Sequence, residues 1–207
     1  MSKTEYETPG GVTVTCRLDA LPYSEALNDA FDAIDHHQGA LFCSGYEYPG
    51  RYSRWDIGFI KPPLEIIGRH RKFEINALND RGTQILPMIC QAIEGQSYIK
   101  QLNKGTESVT GELVAMPTHF PEEERSKQPG LFSMLRSIRE FFGSSEDEYL
   151  GFFGSFGYDL VFQFEPIDLK HERPESYADA HLFLPDQLFI VDHRKETAEV
   201  RNYDFKM

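Results

Sequence analysis

The sequence predicts an α+β fold, a largely antiparallel sheet with helices packed outside it. Three observations carry that expectation. Short alternating or apolar runs of strand length recur along most of the 207 residues. Helical periodicity appears in only three places, too few for a regular βαβ alternation. The aromatic share of 13%, mainly sixteen Phe and ten Tyr, suits layered packing with strands better than a plain helix bundle.

The elements follow in chain order. Residues 1–11 are polar, end in Gly10-Gly11 and read as a flexible arm, leaving residues 12–207 as the folded domain. "VTVTCRL" alternates as a half-buried strand does. Ser24 is a candidate N-cap for a helix with Ala26, Leu27, Ala30, Phe31 and Ile34 on one face and Gly39 as its stop. His36 and His37 near its end would complement the helix dipole. After the apolar run "ALFCS", the stretches "DIGFI", "PLEIIG" and "KFEINAL" read as three strands. Asp80 can cap a helix through Ile85, Ile89 and Ile93 to Gly95, and "YIKQL" and "SVTGELV" add two more strands. A charged, proline-bearing connection covers 116–130, and "LFSMLRSIREFFG" is helical up to Gly143.

The most apolar stretch is "YLGFFGSFGYDLVFQFEP". Its glycines at 151, 154 and 157 do not form the G-x-G-x-x-G of a dinucleotide site. They are read as letting a buried strand pack against another backbone, with a helix starting near Tyr158. "QLFIVDHRKETAEVRNYDF" closes the chain as a hairpin.

Charge and composition narrow the function. A net charge of -12 argues against nucleic acid, which needs a concentrated basic surface. The acidic runs "PEEE" and "EDE" read as solvated charges. Cys16, Cys43 and Cys90 are an odd number without a CxxC, so a reducing compartment is expected, with Cys43 and Cys90 as inert core thiols. "MSKTEYETPGG" is not a signal peptide, and no apolar run reaches a membrane span, so a cytoplasmic protein without a membrane partner is expected. No GxSxG, P-loop, HExxH or EF-hand loop occurs, and the seven histidines show no metal-ligand spacing. No catalytic, cofactor or metal residue is assigned.

One loop stands apart. "SGYEYPGRYSRW" gathers Tyr46, Tyr48, Tyr52, Trp55, Arg51 and Arg54 around a Pro-Gly turn, where a surface loop ordinarily carries small polar residues. With its flanks it reads "ALFCSGYEYPGRYSRWDIGFIKPPLEI", and this stretch resembles the N-terminal region of the anthranilate synthase large subunit. The resemblance is strongest to the type fused to its glutamine amidotransferase. "GFFGSFGYDLVFQFEPI" and "LFLPDQLFIVDHRKETAEV" resemble later parts of the same region, so the likeness runs from about residue 40 to 200.

The resemblance implies the N-terminal part of the layered sandwich of chorismate-utilising enzymes. It also implies a share in a lyase that makes anthranilate and pyruvate from chorismate and glutamine-derived ammonia, with magnesium, in tryptophan biosynthesis. In that family chorismate and magnesium are held by the C-terminal half. That half and the amidotransferase would be this chain's partners, and the chain alone is expected to be inactive. The N-terminal region carries much of the allosteric tryptophan feedback site. Its Leu-Leu-Glu-Ser motif matches Leu41, Phe42, Cys43 and Ser44, and a basic residue ten positions on matches Arg54. Ser44, Arg54, Cys43 and Phe42 are therefore the expected effector-binding residues for L-tryptophan. Cys43 departs from the motif's glutamate, so the effector's ammonium would need another acceptor, a backbone carbonyl or Glu47. Two alternatives stay open: a self-standing amino-acid-binding module, or the corresponding part of another chorismate-utilising enzyme.

Overall fold

The computed structural model describes residues 2–43, 54–115, 121, 123–124, 128–165, 170–174 and 176–207. Among them, strands form two six-stranded sheets, antiparallel at every pairing. The first runs in the order β1 (Ser2–Glu7), β2 (Thr13–Leu21), β12 (Thr197–Lys206), β11 (Gln187–Asp192), β4 (Trp55–Ile60) and β3 (Gly39–Phe42). The second runs β7 (Ile99–Lys104), β8 (Ser108–Leu113), β6 (Lys72–Ala77), β5 (Leu64–Arg69), β10 (Ala180–Leu184) and β9 (Phe153–Phe156). Three α-helices accompany them, α1 (Asn28–Ile34), α2 (Asp80–Ile93) and α3 (Leu131–Phe142). The architecture is α+β and mostly antiparallel, as the sequence led us to expect.

Alternation explains which side chains meet. In β5, Leu64, Ile66 and Gly68 are buried while Glu65, Ile67 and Arg69 are half-buried on the other face. Val14, Cys16, Leu188, Ile190 and Tyr203 of the first sheet join Leu64, Ile66, Phe73 and Ile75 of the second in one core. Helices α2 and α3 contribute to that same core, and Phe142 of α3 reaches Phe205 of β12 at 5.8 Å. Ala26 and Leu27 form a separate cluster with Val191 and Ala198 on the other face of the first sheet. No helix among the described residues is long and apolar enough to cross a membrane.

Four local expectations need adjustment. Ser2–Glu7, expected within a flexible arm, pairs along β2 as an edge strand. Only Tyr6 of its six residues is buried, so its composition is that of an arm while its pairing is that of a strand. The helix expected from Ser24 is a 3₁₀ turn (Tyr23–Glu25) followed by α1, and Gly39 opens β3 instead of closing a helix. Asn79, not Asp80, caps α2, its side chain accepting from the backbone N–H groups of Arg81 and Gly82.

The fourth concerns β9. Gly154 does make the close approach expected of it, at φ +152 with any Cβ only 2.2 Å from the His181 carbonyl oxygen. Yet among the described residues β9 pairs only with β10 and is mostly exposed. Phe156 is 52% exposed and Tyr158, opening a 3₁₀ helix (Tyr158–Gln163), is 90% exposed. Apolar composition alone does not separate a buried strand from an apolar edge.

Candidate functional site

The site expected from the sequence lies where β3 ends and β4 begins. Ser44, Tyr46, Glu47, Tyr48 and Tyr52 fall outside the described residues. Phe42, Cys43 and Arg54, which flank them, are described and sit at the same end of the β3–β4 pair. That pair brings Phe42 opposite Ile57, so one further step along the ladder puts Cys43 beside Asp56.

Arg54 is held on three sides. Its Nη2 donates to Asp192 Oδ2 at 3.3 Å, its guanidinium lies 4.5 Å from the Trp55 ring centroid, and its carbonyl accepts from His193 N at 2.8 Å. The side chain is still 43% exposed, leaving guanidinium surface toward solvent. Asp192, at the end of β11 across from Trp55, is buried. Burial by itself would raise its pKa. The bond from Arg54 and the backbone N–H groups of Arg194 (2.9 Å) and Lys195 (3.3 Å) outweigh it and hold the carboxyl below the ordinary value.

A second carboxylate stands one step inward. Asp56 Oδ2 lies 2.8 Å from His193 Nε2, and His193 Nδ1 lies 2.8 Å from the Tyr23 hydroxyl. Asp56, His193 and Tyr23 thus form a chain of polar groups from the core side to the surface. Partial desolvation and then the Asp56 charge push the Cys43 thiol up from its ordinary pKa. Cys43 is exposed, unlike Cys16 and Cys90, so the expectation of a core thiol holds for Cys90 and fails for Cys43. The reason is positional: Cys43 follows the last residue of the sheet's edge strand.

Aromatic rings wall the same end. Phe42, 41% exposed, lies 6.3 Å from Phe153 of β9, and fully buried Phe59 sits between Phe153 (6.0 Å) and Phe183 (5.6 Å). Trp55 meets the edge of Tyr149 at 6.3 Å, and Tyr149 is covered by Arg201 at 4.0 Å. The outer edges of both sheets, β3 and β9, therefore touch through phenylalanines beside Arg54 and Cys43.

Sequence reasoning placed Arg54, Cys43 and Phe42 together and missed Asp56, Asp192, His193 and Tyr23. Asp192 and His193 were visible in "VDHR", at a strand end before a polar turn, but nothing in the spacing reveals that they face a loop some 140 residues earlier.

Rings, a half-exposed guanidinium and two buried carboxylates gather around one strand end of this α+β fold. Among the described residues, no group of His, Cys, Asp and Glu is arranged to hold a metal ion. No protein-family model matches the chain. Among curated proteins, the chain is 42% identical over 200 residues to the anthranilate synthase of Azospirillum brasilense, an alignment covering 97% of this chain and 27% of that protein. Component 1 of anthranilate synthase from Vibrio parahaemolyticus is 23% identical over 185 residues, covering 88% and 34% respectively. The Haemophilus influenzae component 1 is 22% identical over 204 residues, covering 96% and 38%. By sequence, the chain belongs with the anthranilate synthases and their component 1 proteins. It spans between 27% and 38% of the length of these relatives.

Proposed function

We propose that this chain is the N-terminal, effector-sensing portion of an anthranilate synthase of the type fused to its amidotransferase, and that it binds L-tryptophan at the end of β3. The observation that carries the reading is the placement of Arg54, half-exposed and braced by Asp192 and Trp55, beside Phe42 and Cys43 at one strand end. Arg54 and Ser44 donate to the tryptophan carboxylate, a planar fork on an oxyanion. Phe42 lines the indole slot. The motif's glutamate is replaced by Cys43, and Asp56 is a carboxylate close enough to act on that position. The fused arrangement is supported by length: 200 aligned residues make up 27% of the Azospirillum protein, whereas 185 make up 34% of the Vibrio one.

The touching edges β3 and β9 suit a sandwich continued by strands of another region. In this reading the missing half supplies the chorismate site and the magnesium, and the complete enzyme releases anthranilate and pyruvate in a cytoplasmic pathway. This chain is given no part in holding the metal.

Calorimetry with L-tryptophan on the chain, and inhibition of the complete enzyme carrying Ser44→Ala or Arg54→Ala, test the reading together. The expected result is weakened inhibition with turnover nearly intact. Unchanged inhibition in both variants would remove the effector assignment. Chorismate-dependent anthranilate fluorescence from the chain alone would overturn the placing of the active site elsewhere. Tryptophan binding by the isolated chain is expected as well, and calorimetric silence would count against a site complete within these residues.

A further inference from the structure

A separate cleft of about 950 Å³ opens between the β5–β6 turn and the segment carrying Lys170, His171 and Arg173. From this cleft we propose a binding site for a small dianion of the phosphate or dicarboxylate class, independent of the tryptophan reading. The turn contributes Arg69, His70, Arg71 and Lys72, and the opposite wall adds Tyr177. Such a collection of cations is unexpected on a chain of net charge -12.

The cations of the cleft differ in whether they already have a carboxylate. Arg173 is taken by Asp159 at 2.8 Å and Asp179 at 2.6 Å, and Glu112 is taken by Lys100 at 2.7 Å. Arg69 has only Glu74 at 3.7 Å, and its buried Nε has no hydrogen-bond partner among the described residues. Arg71 is half-buried and donates to the Pro129 carbonyl, with no carboxylate beside it among the described residues. Arg54, Arg81 and Arg201, by contrast, each meet at least one carboxylate. A guanidinium withdrawn from water without a counter-ion is costly, and burial pushes Arg71 down from its ordinary pKa. Lys72 stands across the β6–β8 ladder from Glu112, which it shares with Lys100; among the described residues the lining as a whole carries five Lys and Arg against three Glu, a surplus that a dianion would neutralise.

The turn is fixed in place before any ligand arrives. His70 holds a left-handed φ of +53, its N–H donates to Asp179 Oδ2 at 2.5 Å, and its carbonyl accepts from Gln163 Nε2 at 2.7 Å. Preorganised donors lose little freedom on binding. The volume falls within the roughly 300–1,000 Å³ of small-molecule sites, so a small ligand fits better than a macromolecule.

The test is an amide chemical-shift titration of the 207-residue chain with inorganic phosphate, and separately with succinate, against potassium chloride at matched ionic strength. At about pH 7.5 phosphate is mostly the dianion. Saturable shifts at His70, Arg71, Lys72 and His171 are expected, with affinity falling about tenfold in Arg71→Gln. Lys72→Gln, an exposed change that leaves folding intact, should also weaken binding. Saturation by either anion supports the site and identifies its oxyanion. Saturation by neither, or wild-type affinity in both variants, overturns it.

Discussion

Gly82→Ala should destabilise this protein, although the same change in an exposed helix interior stabilises by about 1 kcal/mol. Gly82 lies in the first turn of α2, where the helix passes closely over the loop entering β5. A Cβ there would stand 2.1 Å from the Pro63 carbonyl oxygen and 3.0 Å from the Ala77 Cα. Both obstacles are backbone, and Pro63 O already accepts from Leu78 N at 2.8 Å, so neither can step aside without breaking a pairing. The helix must move instead. Its first turn is held by the Asn79 cap and by Arg81, which binds Asp186, Asp204 and the Tyr203 carbonyl. Overpacking costs about 1–3 kcal/mol, more where the backbone must shift. Here the backbone must shift, so the cost is at the upper part of that range, about 2–3 kcal/mol, and after the propensity gain of about 1 kcal/mol a net loss of about 1–2 kcal/mol remains. For a domain of this size that lowers Tm by about 2–8 °C in thermal unfolding followed by circular dichroism. A Tm equal to or above wild type would refute the close approach of α2 to Pro63.

Three further outcomes follow from the same packing. Phe59→Ala removes a fully buried ring that touches Phe153 and Phe183 and should cost about 3–5 kcal/mol in urea unfolding; a loss under 1 kcal/mol would mean the two sheets do not meet there. A thiol reagent should label Cys43 in the native chain and all three cysteines only after unfolding, and because the Cys43 thiol is pushed up its labelling rate should go on rising to higher pH than that of an ordinary thiol; native labelling of Cys16 or Cys90 at the same rate would contradict the burial. Asp192 has a lowered pKa, so its contribution to stability is present above the ordinary carboxylate value and is lost as pH falls through the lower folded value. Arg54→Ala should flatten that acid limb, and an unchanged limb would mean Arg54 does not hold Asp192.

The strands were readable because alternation and the short runs around Phe59, Ile66, Ile75 and Val109 are period-two patterns with turn residues between them. The helix from Asn79 was readable for the same kind of reason, with Ile85, Ile89 and Ile93 on one face. What failed depended on neighbours. Ser2–Glu7 has a polar strand's composition because only Tyr6 turns inward, and nothing local distinguishes that from an arm. Residues 24–34 have a helical face, yet Leu27 precedes α1 without any side-chain cap and the helix is short. Cys43 sits in an apolar run, but β3 is an edge and the residues at its end are exposed. Local sequence fixes period; exposure is decided by which strand lies alongside.

The candidate site was half readable for the same reason. Arg54 and Phe42 lie within fifteen residues of each other, so a loop motif could bring them to notice. Asp192 and His193 arrive through pairing of β11 with β4, a contact between distant parts of the chain. That pairing matters for how the proposed effector would act. A ligand drawing on Arg54 competes with Asp192 for the same guanidinium, and Asp192 terminates the strand that joins β4 to β12. Phe42, 6.3 Å from Phe153, would pass the same disturbance to the neighbouring edge. Feedback requires only that tryptophan favour one arrangement of these groups by about 1–3 kcal/mol. Under the proposed function, the strand end would convert occupancy into a change at both sheet edges, where the remainder of the proposed enzyme would be seated.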